Sequence, residues 1–294
     1  MNEVKKTAIF LTMLAITFSP CFAQLEDAIE QMTGENTEGY LQPLVDAFGA
    51  NLNAGINHSA KVPLLGLNVY VGVVAMGTFI PDDDLTYMGT PPEGYPQDKV
   101  ETASVFGGEG AVVTHPSGLQ YLFQNGQLQG NLVPLAVPHL EVGSFLGTKV
   151  KFRYFAYDFG ENVGKLNLMG YGLQHSISRY IPLCPVDISA SIFIQSLDVG
   201  DILSTKLTSM GVQASKKFAV LTIYGGASID NTTMDVEYTY EAGDASEKIA
   251  LELKSTGNFR LTAGAALKVA VLSIYGDFNM GKQNTATLGV GFEL

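Results

Sequence analysis

The chain ends on "TATLGVGFEL", in which Ala286, Leu288, Val290, Phe292 and Leu294 alternate with Thr285, Thr287, Gly289, Gly291 and Glu293. A period of two makes a strand with one apolar and one polar face. Terminal residues usually fray because nothing holds them, so a strand running to the last residue needs a partner. The same period recurs from Leu65 onward. In "LGLNVYVGVVAMGTF", Leu65, Leu67, Val69, Val71, Val73 and Ala75 oppose Gly66, Asn68, Tyr70 and Gly72. "KVKFRYFAY" sets Val150, Phe152, Tyr154 and Ala156 against Lys149, Lys151 and Arg153. "VDISASIFIQ" sets Val186, Ile188, Ala190, Ile192 and Ile194 against Asp187, Ser189, Ser191, Phe193 and Gln195. "TMDVEYTY" sets Met234, Val236, Tyr238 and Tyr240 against Asp235, Glu237 and Thr239. "AVLSIYGDFNM" sets Ala270, Leu272, Ile274, Phe278 and Met280 against Ser273, Tyr275, Asp277 and Asn279.

Amphipathic segments of about 8 to 12 residues fit two architectures, the outer-membrane barrel and the soluble β-sandwich. Three features favour the barrel. The segments exceed the roughly 5 to 6 residues usual in sandwiches. Several apolar faces end in Tyr or Phe, as interfacial girdles require. The polar faces are small and hydrated, as suits a lumen. After the N-terminal segment no run of about 18 apolar residues occurs. A membrane-spanning reading therefore requires a closed barrel, which alone with the helix satisfies every backbone polar group in lipid. The expected fold is all-β, an antiparallel transmembrane β-barrel of about 12–14 strands with a short N-terminal helical segment. Twelve strands are expected near 65–79, 135–145, 149–157, 164–175, 186–196, 203–213, 218–229, 232–240, 248–255, 259–267, 269–280 and 285–294. Weaker candidates at 50–60 and 118–124 would make fourteen, and alternation is poor at 203–213 and 259–267. The last strand then pairs with the first and abolishes free edges. Its outward row, with Val290, Phe292 and Leu294, has the form of a barrel-insertion signal, although the final residue is not aromatic.

"MNEVKKTAIFLTMLAITFSPCFAQ" combines a basic start at Lys5 and Lys6, an apolar run from Thr7 to Phe18, and small residues at Cys21 and Ala23. That pattern is a secretory signal peptide over 1–23. A lipoprotein reading at Cys21 fits less well, because Ser19 and Pro20 precede it. Cleavage would leave Cys184 alone, with no intramolecular disulfide.

Two regions break the alternation. Residues 24–48 have helical spacing, with Leu41, Leu44, Val45 and Phe48 on one side and Pro43 limiting regularity, and could plug the barrel mouth or extend into the periplasm. The barrel itself is expected over 49–294, interrupted by a long extracellular loop at 80–134 rich in Pro, Gly and acidic residues. Long loops of this kind are functional or disordered. "GEGAVVTHPSGLQYLFQNG" within it reads as a hairpin in a folded cap.

A formal net charge of -12 with only three arginines excludes a basic nucleic-acid footprint. "GENVGK" lacks the spacing of a phosphate loop, and "PDDDL" lacks that of a calcium loop. His58, His115, His139 and His175 show no paired zinc spacing, and no cofactor or metal site is expected. "HSIS" invites a serine-hydrolase reading, but His175 and Ser176 are adjacent on a strand and point to opposite faces. No catalytic residues are assigned and the chain is not expected to be an enzyme. The lumen candidates are Lys149, Lys151 and Arg153, a basic row, together with Asp187, Asp235, Glu237, Tyr275 and Asp277 on other strands. Opposed charges in a lumen either tune which solutes pass or pair and close it.

At "VGKLNLMGYGLQHSISRYIPLCPVDISASIFIQSL" and "VPLAVPHLEVGSFLGTKVKFRYFAY" the sequence resembles an uncharacterised family of Gram-negative outer-membrane β-barrels, a domain of unknown function. That resemblance spans about Tyr40 to the C-terminus and implies fold and location without an activity. More distantly, the helix-then-barrel layout resembles long-chain fatty-acid-transporter-type barrels, where an N-terminal segment plugs the lumen. The expected partners are outer-membrane lipid, the barrel-assembly machinery and a small hydrophobic or amphipathic solute. Three readings remain: a narrow or plugged channel for such a solute, narrowly favoured; a structural or adaptor barrel with a closed lumen and an exposed cap; and a surface enzyme.

Overall fold

The computed structural model describes residues 28, 29, 32, 34–128, 130–158, 164–200, 202–242 and 245–294. The expected signal peptide, with Cys21, and most of "GENVGK" lie outside these. A helix, α1 (Glu35–Leu52), precedes β1 (Leu65–Phe79). A cap follows, with two hairpins, β2 (Thr86–Gly89) with β3 (Val100–Ala103) and β4 (Val112–Thr114) with β5 (Gln120–Leu122). Then come β6 (Leu132–Phe145), β7 (Thr148–Asp158), β8 (Lys165–Ser176), β9 (Asp187–Val199), β10 (Leu203–Phe218) and β11 (Leu221–Ala242). The chain finishes with β12 (Ala245–Lys254), β13 (Phe259–Val269), β14 (Leu272–Met280) and β15 (Asn284–Glu293).

Ten of these strands close a ring, in the order β1-β6-β7-β8-β9-β10-β11-β13-β14-β15 and back to β1, every pair antiparallel. The terminal strand does find its partner: β15 pairs β1 from Tyr70↔Glu293 to Phe79↔Asn284. The ring is smaller than the 12–14 strands expected from alternation. Segments 218–229 and 232–240 are one strand, β11, and 248–255 is β12, which pairs only with β11, from Thr233 on, and extends the wall above β13 without joining the ring. Candidate 50–60 is the helix end and an irregular, bent chain, and 118–124 holds an arm of a cap hairpin.

Two-residue turns at 146–147, 219–220 and 270–271 gather at one end of the barrel with the longer 177–186 connection, and the 80–131 cap lies at the other end with the short β14–β15 turn. The turns at 219–220 and 270–271 sit inside the matching stretches "FAVLTIYG" and "VAVLSIYG", with Ala219 and Ala270 both at φ 53°. Each repeat then places a tyrosine, Tyr224 or Tyr275, inward against a glycine of the next strand, Gly264 or Gly289. Tyr70 lies likewise against Gly72 and Gly291, and Phe193 against Gly170 and Gly172. Rings laid over bare backbone explain the glycine-rich inner faces: a Cβ there would occupy the space of the ring.

The outer wall is apolar. Val71, Tyr154, Tyr171, Met210, Ile223, Phe259, Phe278 and Leu288 are all exposed on it. Soluble monomers rarely expose a continuous belt of this extent, whereas a transmembrane barrel must. Among the described residues no helix is long and apolar enough to cross a membrane.

The interior is filled by the chain's own N-terminal part. Tyr40, Leu41, Leu44, Val45 and Leu52 of α1 are at most 1 % exposed. An α-helix with side chains is about 10–12 Å wide. Eight strands enclose only room for side chains, so a ten-stranded ring gives space for one helix. The segment enters at the loop end, where Tyr40 meets the cap through Val105 and Asn125. It leaves at the turn end, where Ser144 Oγ donates to Pro63 O at 2.6 Å and Gly147 N to Leu64 O at 2.9 Å. The sequence suggested a plug over 24–48; residues 53–64, assigned to the barrel, continue it as an irregular, bent chain.

Inner-face polarity changes along the axis. Around α1 it is apolar, with Leu168, Leu197, Leu207, Met234, Val236 and Leu253 buried. Around 53–64 it is polar, with Glu141, Lys149, Lys151, Arg153, Gln174 and Gln213 buried. Strand β10 crosses the boundary, so its alternation inverts midway and reads as poor in sequence. On β11, Met234, Val236 and Tyr238 face the interior, contrary to the expected outward placement, and Asp235 and Glu237 face out above the apolar belt.

Replacing Gly289 by Val should displace Tyr275 and destabilise the barrel by about 1–3 kcal/mol. Gly108→Ala, whose Cβ meets open space, should change little. The midpoint at which the folded, fast-migrating gel band is lost on heating reads both.

Candidate functional site

An irregular chain inside a barrel cannot satisfy its own carbonyls, and a buried unpaired polar group costs about 1–3 kcal/mol. Here the wall supplies the donors. Arg153 Nη1 donates to Leu52 O at 2.7 Å and Nη2 to Ala54 O at 2.9 Å. Lys151 Nζ donates to Ile56 O at 2.8 Å, and Gln195 Nε2 to Leu52 O at 2.8 Å. Tyr275 OH donates to Gly55 O at 3.2 Å, Gln213 Nε2 to Asn57 O at 3.3 Å, and Gln174 Nε2 to Ser59 O at 2.7 Å. Ala60 N donates in turn to Ser215 Oγ at 2.9 Å. Gly55 has φ 61° and lies against Val74 and Thr287, so both conformation and space call for glycine there.

The basic row is balanced by Glu141 on β6, which the sequence reading missed. Its carboxylate accepts Lys149 Nζ at 2.9 Å and Lys151 Nζ at 2.7 Å. The signal was available once the β6–β7 hairpin is set, since register puts Glu141 opposite Lys151 and His139 opposite Arg153. Arg153 also donates through Nε to His139 Nδ1 at 3.3 Å and stands 5.6 Å from the Phe193 ring centroid. His58, on the plug, stacks on Tyr275 with centroids 4.6 Å apart; its Nδ1 is 3.6 Å from Glu141 and its Nε2 3.9 Å from Glu293.

The remaining candidates divide. Tyr275 and Asp277 face the lumen, where Asp277 accepts Tyr224 OH at 2.9 Å and Asn279 Nδ2 at 2.6 Å. Beside them Arg260 Nε donates to Asp230 at 2.7 Å, a pair the sequence did not single out. Asp187 is half-buried at the turn-end start of β9. Asp235 and Glu237 are not lumen residues; outside, they pair with Lys206 at 3.2 Å and Lys248 at 2.5 Å. Val290, Phe292 and Leu294 form the outward row on and just beyond β15. His175 bonds Thr148 and Tyr180, while Ser176, on the opposite face, bonds Ser178. In "PDDDL", Asp84 accepts Lys282 at 2.9 Å and Gln283 at 2.6 Å, tying the cap to the β14–β15 turn. That hydrogen bond holds the Lys282 ammonium above its ordinary range.

Removing one member of a buried charge set leaves the others uncompensated, which costs about 3–5 kcal/mol. Glu141→Gln should therefore lower barrel stability steeply, and Glu237→Gln, at an exposed pair, by less than about 1 kcal/mol. Unfolding in guanidinium, followed by tyrosine fluorescence, should rank them in that order.

The fold and geometry were compared with known proteins. Solved structures similar to this chain include the loop L8 deletion mutant of OmpT, an outer membrane protein of Vibrio cholerae, at 10 % identity and TM-score 0.27, covering 79 % of this chain and 100 % of that one. The outer membrane protease OmpT of Escherichia coli gives 8 % identity and TM-score 0.36, covering 80 % and 100 %. OmpF of Salmonella typhi, in complex with daunomycin, gives 10 % and 0.23, covering 78 % and 97 %. These are barrels with a porin and a protease among them, not specifically fatty-acid transporters, and at such scores they carry no functional argument. No curated protein is similar enough to match. The family model described as "Family of unknown function (DUF6588)" matches residues 4–294, and the chain belongs to that family.

Proposed function

We propose that this protein is an integral outer-membrane barrel, closed at rest by its own N-terminal segment, that presents a folded cap at the cell surface as a structural or adaptor protein. The observation that carries this reading is the plug itself. Six consecutive or near-consecutive carbonyls, those of Leu52, Ala54, Gly55, Ile56, Asn57 and Ser59, each accept a wall side chain. A lumen so occupied has no room for a diffusing solute beside the plug, and its buried cations Lys149, Lys151 and Arg153 are held by Glu141 and the plug carbonyls. The apolar belt supports the location, because only lipid makes its exposure favourable. The longest connection, 80–131, is placed outside, as in the usual barrel arrangement, with the two-residue turns on the periplasmic side. In that orientation the cap exposes Met88, Val112, Leu119 and Leu122 to the medium.

Passage of a small hydrophobic or amphipathic solute is the second reading. What favours it is that residues 53–60 are held mainly by hydrogen bonds rather than by an apolar core, so they could withdraw while α1 stays packed. Both readings predict a closed barrel at rest. In planar bilayers the native protein should show no stepwise conductance. The double variant Arg153→Ala/Lys151→Ala loses the donors to Ala54 and Ile56 and one of the two to Leu52, and should show intermittent openings. Stable channels from the native protein would overturn the proposal, and solute-dependent openings of the native protein would favour transport.

A further inference from the structure

Below the plug, at the turn end, a cavity of 230 Å³ is lined by His58, Lys61, Lys149, Lys217, Lys268 and Glu293, with small polar residues between them. Four of these six side chains are lysines, in a chain of net charge -12. Lys149 is shared with Glu141 and Lys268 with Glu293 at 3.2 Å. Lys61 and Lys217 are exposed at the rim, and no ion pair to either is found among the described residues. Glu141 and Glu293 are set against these four lysines and Lys151, which Glu141 also holds, so the vestibule keeps an excess of positive charge. His58 is 4 % exposed, and its Nδ1 has no hydrogen-bond partner. That atom lies 3.6 Å from Glu141, so what marks the vestibule is the convergence of four lysines from the plug and three wall strands on one cavity.

We propose that this vestibule binds a small multivalent oxyanion of the phosphate type that enters from the turn end. Lysine is a point charge that meets phosphate oxygens without a fixed fork geometry, so several lysines from different strands suit a mobile, multiply charged group. Liquid water takes about 30 Å³ per molecule. The cavity therefore has room for a phosphate group with a substituent, but not for a large polymer. Lys61 belongs to the plug, whereas Lys149, Lys217 and Lys268 belong to β7, β10 and β13 of the wall. A bound anion bridges the two and removes their mutual repulsion. It fastens the plug at Lys61, between the wall contacts of Ser59 and Ala60 and those of Pro63 and Leu64. The site does not depend on whether the barrel conducts. A free anion fits better than a lipid headgroup, because the cavity opens inside the ring of strands and not on its lipid face.

The test uses the folded, detergent-solubilised protein and inorganic pyrophosphate, titrated calorimetrically at low ionic strength. Saturable binding is expected, with a rise in the heating midpoint of the fast-migrating band. Lys217→Gln/Lys268→Gln, both at the rim, should weaken binding by about tenfold while the barrel remains heat-modifiable. Ser204→Ala, at the loop end, should leave it unchanged. Absence of saturable binding, or equal binding by the lysine variant, would overturn the proposal. A second arm places the protein in nanodiscs with phosphatidylglycerol. A lysine-dependent gain in stability there, with no response to soluble pyrophosphate, would also overturn it in favour of a headgroup contact.

Discussion

The structure depends on one requirement: backbone carbonyls carried into a barrel without regular structure must be met by donors from the wall. Helix α1 satisfies itself, so the strands around it are free to be apolar. Below Leu52 the chain is irregular, and each carbonyl needs an N–H or O–H from outside. Guanidinium, ammonium and amide groups are the side chains with donors to spare, and Arg153, Lys151, Gln174, Gln195 and Gln213 supply them. Buried cations then need a buried anion, since an uncompensated charge costs far more than a lost hydrogen bond. Glu141 fills that role for Lys149 and Lys151. The polar lower lumen is thus a consequence of the plug's conformation.

That dependence explains what the sequence revealed and what it concealed. The closing strand, the helix and the outward rows of β1, β7, β14 and β15 were legible, because lipid demands apolar residues at every second position wherever it touches the wall. The strand number was not. A run of alternation does not say whether it continues through a turn or past the membrane, and β11 does both: 218–229 starts one residue before the turn and 232–240 continues beyond the belt. The assumption that polar means lumen failed at Asp235 and Glu237. Above Ile229 the outside is water and the inside is a packed helix, so the two faces exchange character while the strand stays in register.

The candidate site was half legible. Lys149, Lys151, Arg153, Tyr275 and Asp277 lie where alternation placed them, since they sit below the crossover. Glu141 escaped notice because its strand begins in "VPLAVPHLEV", whose inner row mixes Val133, Val137 and His139 before reaching the charge. A lone acid in a mostly apolar strand signals little until its cross-strand neighbour is known. The plug carbonyls could not have been found at all, because no residue type marks a backbone oxygen that lacks a partner.

The route of the chain also constrains how the barrel can form. The plug enters at the loop end and runs straight into β1 at the turn end, and β1 is the strand that β15 must reach last. Sealing that seam encloses whatever is inside. An 18-residue helix whose core side chains are almost wholly buried would have to lose those contacts to be drawn through a finished ring. Ordering the plug before closure avoids that cost. The paired interior charges also argue for it, since Lys149, Lys151 and Arg153 face Glu141 and the plug carbonyls together. A ring that closed empty would hold these cations around water. Placing the plug first lets the β6–β7 hairpin fold onto the carbonyls it must satisfy. The C-terminal strand then joins an inner surface already complete, with Glu293 brought to His58 and Lys268 as its last polar contact.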